Sequence, residues 1–112
     1  MKLLIVGSRN IENFDLAPYV PQEVEWIISG GARGVDEIAE RYADGKKISK
    51  LILRPDYKKY GRAAPIRRNY EMVESADAVL VIWDGVSHGT KATIDYARRT
   101  HKPITVILVE RK

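Results

Sequence analysis

Apolar positions along the chain fall into two spacings, and their alternation predicts the architecture. Short apolar runs at residues 3–6, 24–28, 51–53, Ala78–Trp83 and 104–109 predict five strands. The run at 3–6 ends in Gly7 and reads as a strand covered on both faces. Val35, Ile38, Ala39, Tyr42 and Ala43 form one stripe of a helix, with Gly45 placed to stop it. Ile66, Tyr70, Val73 and Ala76 predict a second helix, opened by Pro65 in its first turn. A third runs through Ala92, Tyr96 and Ala97. Residues 11–20 are mixed and contain Pro18, which leaves a short helix or an irregular crossover. Strands alternating with helices imply right-handed βαβ units. The expected fold is α/β and Rossmann-like: three layers, doubly wound around a mostly parallel five-stranded sheet, with residues 1–112 as one domain.

Candidate chemistry sits in three loops that follow carboxyl ends of strands, the edge where open parallel sheets bind ligands. They are Gly7-Ser8-Arg9, Ser29-Gly30-Gly31-Ala32-Arg33-Gly34 and the segment from Gly85 to Thr90, which includes Ser87 and Gly89. Glycine lets the main chain approach a ligand closely. The helix that follows offers unpaired N–H groups and the positive end of its dipole. Ser29, Ser87 and Thr90 add hydroxyls, and Arg9 and Arg33 add charge-assisted contacts. Asp36, just inside its helix, accepts from a ribose hydroxyl or favours the positive helix end. The first loop is too short for G-x-G-x-x-G or for the Walker pattern, which disfavours the usual modes of NAD binding and ATP hydrolysis.

Composition narrows the classes. The 112 residues are 45% hydrophobic and 30% charged, enough for one core. With no cysteine and only two histidines, far apart, neither a thiolate nor an imidazole-rich metal site is expected. The first residues lack the apolar length of a signal peptide, and no run reaches the about 18–20 apolar residues of a membrane span, so the expected compartment is the cytoplasm. The net charge of +4 suits an anionic small molecule. Lys46, Lys47, Lys50, Arg54, Lys58, Lys59, Arg62, Arg67 and Arg68 crowd the middle of the chain beside Tyr57, Tyr60 and Tyr70, a composition that also suits single-stranded nucleic acid.

Five segments taken together carry a family likeness: Val6-Gly7-Ser8-Arg9, Ser29 through Asp36, Tyr60-Gly61-Arg62-Ala63-Ala64, Arg68-Asn69, and Trp83-Asp84-Gly85-x-Ser87-x-Gly89-Thr90. The chain resembles the SLOG superfamily over nearly its whole length, most closely the small stand-alone proteins related to YspA and YpsA. The resemblance implies glycine loops that bind a nucleotide or nucleotide-derived ligand, and it favours a homodimer or larger assembly. The superfamily includes the Lonely Guy phosphoribohydrolases and proteins that hold single-stranded DNA. In the hydrolases the last loop reads P-G-G-x-G-T-x-x-E with a catalytic glutamate. Here Gly89-Thr90 corresponds to the phosphate-binding pair, while Thr93 stands in place of the glutamate. Threonine cannot supply that charge or activate water as a carboxylate does.

The leading expectation is therefore binding, in sensing or processing, of a nucleotide derivative. Hydrolysis of an N-glycosidic or phosphate bond is an alternative, with Asp84 or Asp36 as the working carboxylate, and nucleic-acid binding is a third. Arg68 is expected either to hold substrate, as an arginine does in the hydrolases, or to pair with Glu71 or Glu74. Asn69 needs partners inside its helix. Trp83 either stacks on a base or packs in the core, and Asp84 either works chemically or caps its turn.

Overall fold

The computed structural model describes residues 1–110. Five strands, β1 (Lys2–Gly7), β2 (Trp26–Ser29), β3 (Ser49–Ile52), β4 (Ala78–Trp83) and β5 (Ile104–Leu108), form one sheet in the order β3-β2-β1-β4-β5. Every pairing is parallel. Helices α1 (Val35–Lys46), α2 (Tyr57–Tyr60), α3 (Ala64–Ser75) and α4 (His88–Arg99) connect the strands, with 3-10 turns at Ala17–Tyr19 and Gly61–Ala63. Strand order reverses beside β1, so the crevice at the carboxyl ends of β1 and β4 is the switch point of a doubly wound sheet.

Two cores make the three layers. On one face Leu3, Ile5, Ile27, Leu80 and Ile82 meet Val35, Ile38, Ala39 and Ala43 of α1, together with Ile11, Leu16 and Val24 of the first crossover. On the other face Leu4, Val6, Ile28, Val79 and Val81 meet Met72 and Val73 of α3 and Ile94 and Ala97 of α4. Continuous apolar strands are required because both faces are covered, each buried aliphatic side chain contributing about 1.5–3 kcal/mol.

Two local expectations change, and one open alternative is resolved. Gly45 does not stop α1; the helix reaches Lys46, and Lys47 takes the left-handed position at φ 57°. That turn lets the Ile48 N–H return to the Ala43 carbonyl (2.8 Å) and brings Ile48 against the core. The expected α3 stripe holds at its C-terminal end, where Val73 and Ala76 are buried, but its inner face is rotated at the start: Ile66 is exposed, while Ala64, Arg68 and Met72 are buried. Apolar periodicity misses this because an arginine occupies one of the inward positions. Residues 11–20 resolve as an irregular crossover holding one 3-10 turn.

Candidate functional site

A cleft of about 480 Å³ opens at the switch point. Its floor is the splice between β1, β4 and α1. Gly7 ends β1 with no room for a side chain: a Cβ there would stand 2.0 Å from the Ile82 carbonyl and 2.6 Å from a Val35 methyl. Gly7 thus serves close packing of strand on helix. Ser8, only 1% exposed, continues the splice. Its N–H donates to the Ile82 carbonyl (3.1 Å), its carbonyl accepts from the Val35 N–H (3.3 Å), and its Oγ accepts from the Asp84 N–H (2.9 Å). Gly34 sits at φ 75° and leaves no room for a side chain, since a Cβ there would lie 2.4 Å from the Ser8 carbonyl oxygen.

Asp84 caps the turn that leads into α4. Its Oδ1 accepts from the N–H groups of Val86 and Ser87 (2.9 Å each) and from the Ser87 hydroxyl (3.0 Å). Desolvation pushes its pKa up, but these bonds and the Ser8 hydroxyl outweigh it and hold the carboxyl well below the usual range. A carboxylate so committed is a poor general acid or base at neutral pH. Gly85 supports the turn at φ 86°, outside the cleft. Trp83 is half-buried against the second core and donates its indole N–H to the Ser87 carbonyl (3.1 Å), so it acts as a packed strut and is absent from the cleft lining.

The opposite wall is built on α3. Arg68 is buried at 9% exposure, and its Nη1 donates to the carbonyls of Gly30 (2.6 Å) and Leu53 (3.3 Å). Its Nε donates to Asn69 Oδ1 (2.9 Å), which gives the helix amide the partner it needs. The expected ion pair with Glu71 or Glu74 does not form; Arg68 makes no carboxylate contact within salt-bridge distance among the described residues. Burial lowers the arginine's pKa, the field of Asp36 raises it, and that of Arg9 lowers it again. Asp36, 6% exposed, accepts from the Ala32 N–H (3.1 Å). Desolvation raises its pKa despite that bond and the field of Arg68. Gly30 separates the two charges: a Cβ there would lie 2.8 Å from the arginine and 2.9 Å from the carboxylate.

Helix α4 closes the third side. The Lys91 N–H is bonded to the Ser87 carbonyl (3.1 Å), so the amides of His88, Gly89 and Thr90 precede the first helical bond. Gly89 and Thr90 line the cleft, and a Cβ on Gly89 would meet nothing within 4 Å. Thr93 lines it too, with its hydroxyl donating back to the Gly89 carbonyl (3.1 Å).

The expected residues therefore divide. Gly7, Ser8, Arg9, Asp36, Arg68, Asn69, Asp84, Ser87, Gly89 and Thr90 come together around the cleft. Ser29, Gly30, Gly31, Arg33 and Gly34 do not line it. Ser29 donates to Glu40 (2.8 Å), and Gly31 and Arg33 border a neighbouring hollow of about 310 Å³ shared with Arg9. Asn10, Pro65, Met72 and Val86 also line the cleft and were missed, since their inward aim depends on helix rotation and loop path. In the basic segment Lys59 and Arg67 lie over the ring of Tyr60 (5.1 and 5.4 Å), and Tyr70 stacks on Tyr96.

Over 84 residues the chain is 34% identical to the Gene 61 protein of Mycobacterium phage D29, an alignment covering 70% of this chain and 67% of that protein. The chain belongs to the Gene 61 protein family. No protein-family model matches this chain, and no solved structure matches it. Among its described residues no group of three or more His, Cys, Asp or Glu side chains is placed to hold a metal ion, and no helix is long and apolar enough to cross a membrane.

Proposed function

We propose that this Gene 61 family protein is a SLOG-type domain that binds the phosphate of a nucleotide or nucleotide-derived ligand, acting in the cytoplasm. The observation that carries the reading is Arg68: a buried guanidinium at the wall of the cleft with no carboxylate in ion-pair contact among the described residues. A buried cation is costly unless compensated. A phosphate in the cleft supplies that compensation and relieves the mutual repulsion of Arg68 and Arg9. The leading amides of α4, at Gly89 and Thr90, give the same anion neutral donors and a favourable dipole. Pro65, Met72 and Val86 leave an apolar portion of the lining for a base or other flat group.

The test is a thermal-shift and calorimetric screen of nucleoside phosphates and ADP-ribose derivatives. A bound nucleotide is expected to raise Tm. Arg9→Ala, at an exposed position, is expected to weaken binding about tenfold, the cost of one charge-assisted contact. The absence of any shift at millimolar ligand sinks the reading.

A hydrolytic reading rests on Asp36, which combines burial, a raised pKa and a place in the cleft lining, the pattern of a tuned acid or base. Chromatography of nucleoside monophosphates after incubation decides it. Release of base that stops in Asp36→Asn supports catalysis; intact substrates leave binding alone.

A further inference from the structure

We infer that the outer edge of β5 is a self-pairing surface, joining two copies of the chain into one ten-stranded sheet about a two-fold axis at Val106. The two edges of the sheet differ in kind. β3 is four residues long and carries Lys50, ion-paired to Asp44 at 2.8 Å. β5 reads Ile-Thr-Val-Ile-Leu, with neither charge, glycine nor proline. Exposed edges normally carry such features to prevent pairing with another chain. Leu108 is 68% exposed and Val86 60% exposed at the same end of the sheet.

Main-chain geometry sets the register. The Val79 N–H donates to the Pro103 carbonyl (2.9 Å), and the Val109 N–H to the Trp83 carbonyl (2.8 Å). In a parallel pair this alternation turns the odd-numbered residues of β5 toward β4 and directs the N–H and C=O groups of Ile104, Val106 and Leu108 outward. Two antiparallel copies use all three outward residues only when Val106 opposes itself and Ile104 opposes Leu108. Opposed residues share a face, so the exposed Leu108 is covered by Ile104 of the second copy. The same register sets Lys102 opposite Glu110, which is complementary in charge, although the Lys102 ammonium also donates to the Ala76 carbonyl (2.6 Å). Identical edges related by a two-fold axis make a closed contact, which selects a second copy as the occupant.

Sedimentation equilibrium of the full chain is expected to show a dimer. Val106→Pro removes an outward N–H and no bond to β4, so it should leave a folded monomer. Should Val106→Pro fail to fold, Leu108→Glu, at an exposed position, gives the decisive reading: dimer dissociation at least about tenfold weaker with an unchanged circular dichroism spectrum. The chain has no cysteine, so Val106→Cys introduces a single thiol. On the axis the two Cα atoms stand about 5.5 Å apart, within disulfide range, and oxidation should cross-link the dimer, whereas Ser49→Cys on the other edge should not. A monomeric wild type at high micromolar concentration, a dimer indifferent to Leu108→Glu, or a dimer that Val106→Cys leaves uncross-linked overturns the proposal.

Discussion

Glycines that look alike in the sequence do different work at the residue scale. A side chain at Gly7 collides with main-chain and helix atoms that cannot retreat, whereas one at Gly89 meets open space. Gly7→Ala is therefore expected to cost about 3 kcal/mol or more in urea unfolding. Gly89→Ala should be neutral, or stabilising by up to about 1 kcal/mol through helix propensity, while narrowing the cleft. The two acidic candidates separate by pH. The pKa of Asp84 lies below its ordinary 3.8 in the fold, so its stabilisation is full above that value and is lost as pH falls through the folded pKa. The penalty of Asp84→Asn, measured by denaturation, should thus be largest at neutral pH and shrink in acid. Asp36 has the opposite sign: its raised pKa favours the fold below the ordinary value, and that contribution disappears as pH rises through the folded pKa. Asp36→Asn keeps an acceptor for the Ala32 N–H, so its stability relative to wild type should improve as pH rises through that window. A flat difference for either variant contradicts the assignment.

Elements show how far a sequence can be read. The apolar runs located all five strands, because the central ones are covered on both faces and must be apolar throughout; β4 coincides with its run Ala78–Trp83, while the edge strand β3 begins two residues before its run, at exposed Ser49 and Lys50. β2 begins at Trp26 rather than at residue 24 because Val24 turns into the core with its N–H on the Pro21 carbonyl (3.3 Å) before pairing starts. The loops at β1 and β4 were legible as walls of the cleft since their glycines stand at strand ends. The second glycine loop was only half so: its Ala32 amide holds Asp36, and the Gly30 carbonyl holds Arg68, contacts set by tertiary packing. The α3 stripe held at Val73 and Ala76 and failed at Ile66 for a related reason, a charged residue, Arg68, facing inward. The rotated face has a measurable consequence. Met72→Ala should cost about 2–5 kcal/mol because Met72 is 1% exposed, and Ile66→Ala, at 40% exposure, should cost under about 1 kcal/mol by the same assay. Equal costs would restore the stripe that periodicity suggests.

Across the whole molecule, charge is divided between a basic surface and an interior site. Lys46, Lys47, Lys50, Arg54, Lys58, Lys59, Arg62 and Arg67 are all exposed, and Arg68 alone of that crowded segment turns inward to the cleft. The exposed set is screened over about 8 Å at physiological ionic strength, while a guanidinium inside a walled cleft is screened much less. Nucleotide affinity governed by Arg68, Arg9 and the α4 amides should therefore decline only gently with salt. Binding of a single-stranded oligonucleotide along the exposed segment would instead release counterions, with log K falling by about 0.7 per phosphate contact for each unit of log salt concentration. Fluorescence anisotropy across a salt series separates the two: a shallow slope for a nucleotide, with oligonucleotide retention that is absent or vanishes at physiological salt, fits a ligand held in the cleft. A steep slope shared by both ligands, insensitive to Arg9→Ala but abolished by neutralising Lys58, Lys59 and Arg62 together, would transfer the function to the surface.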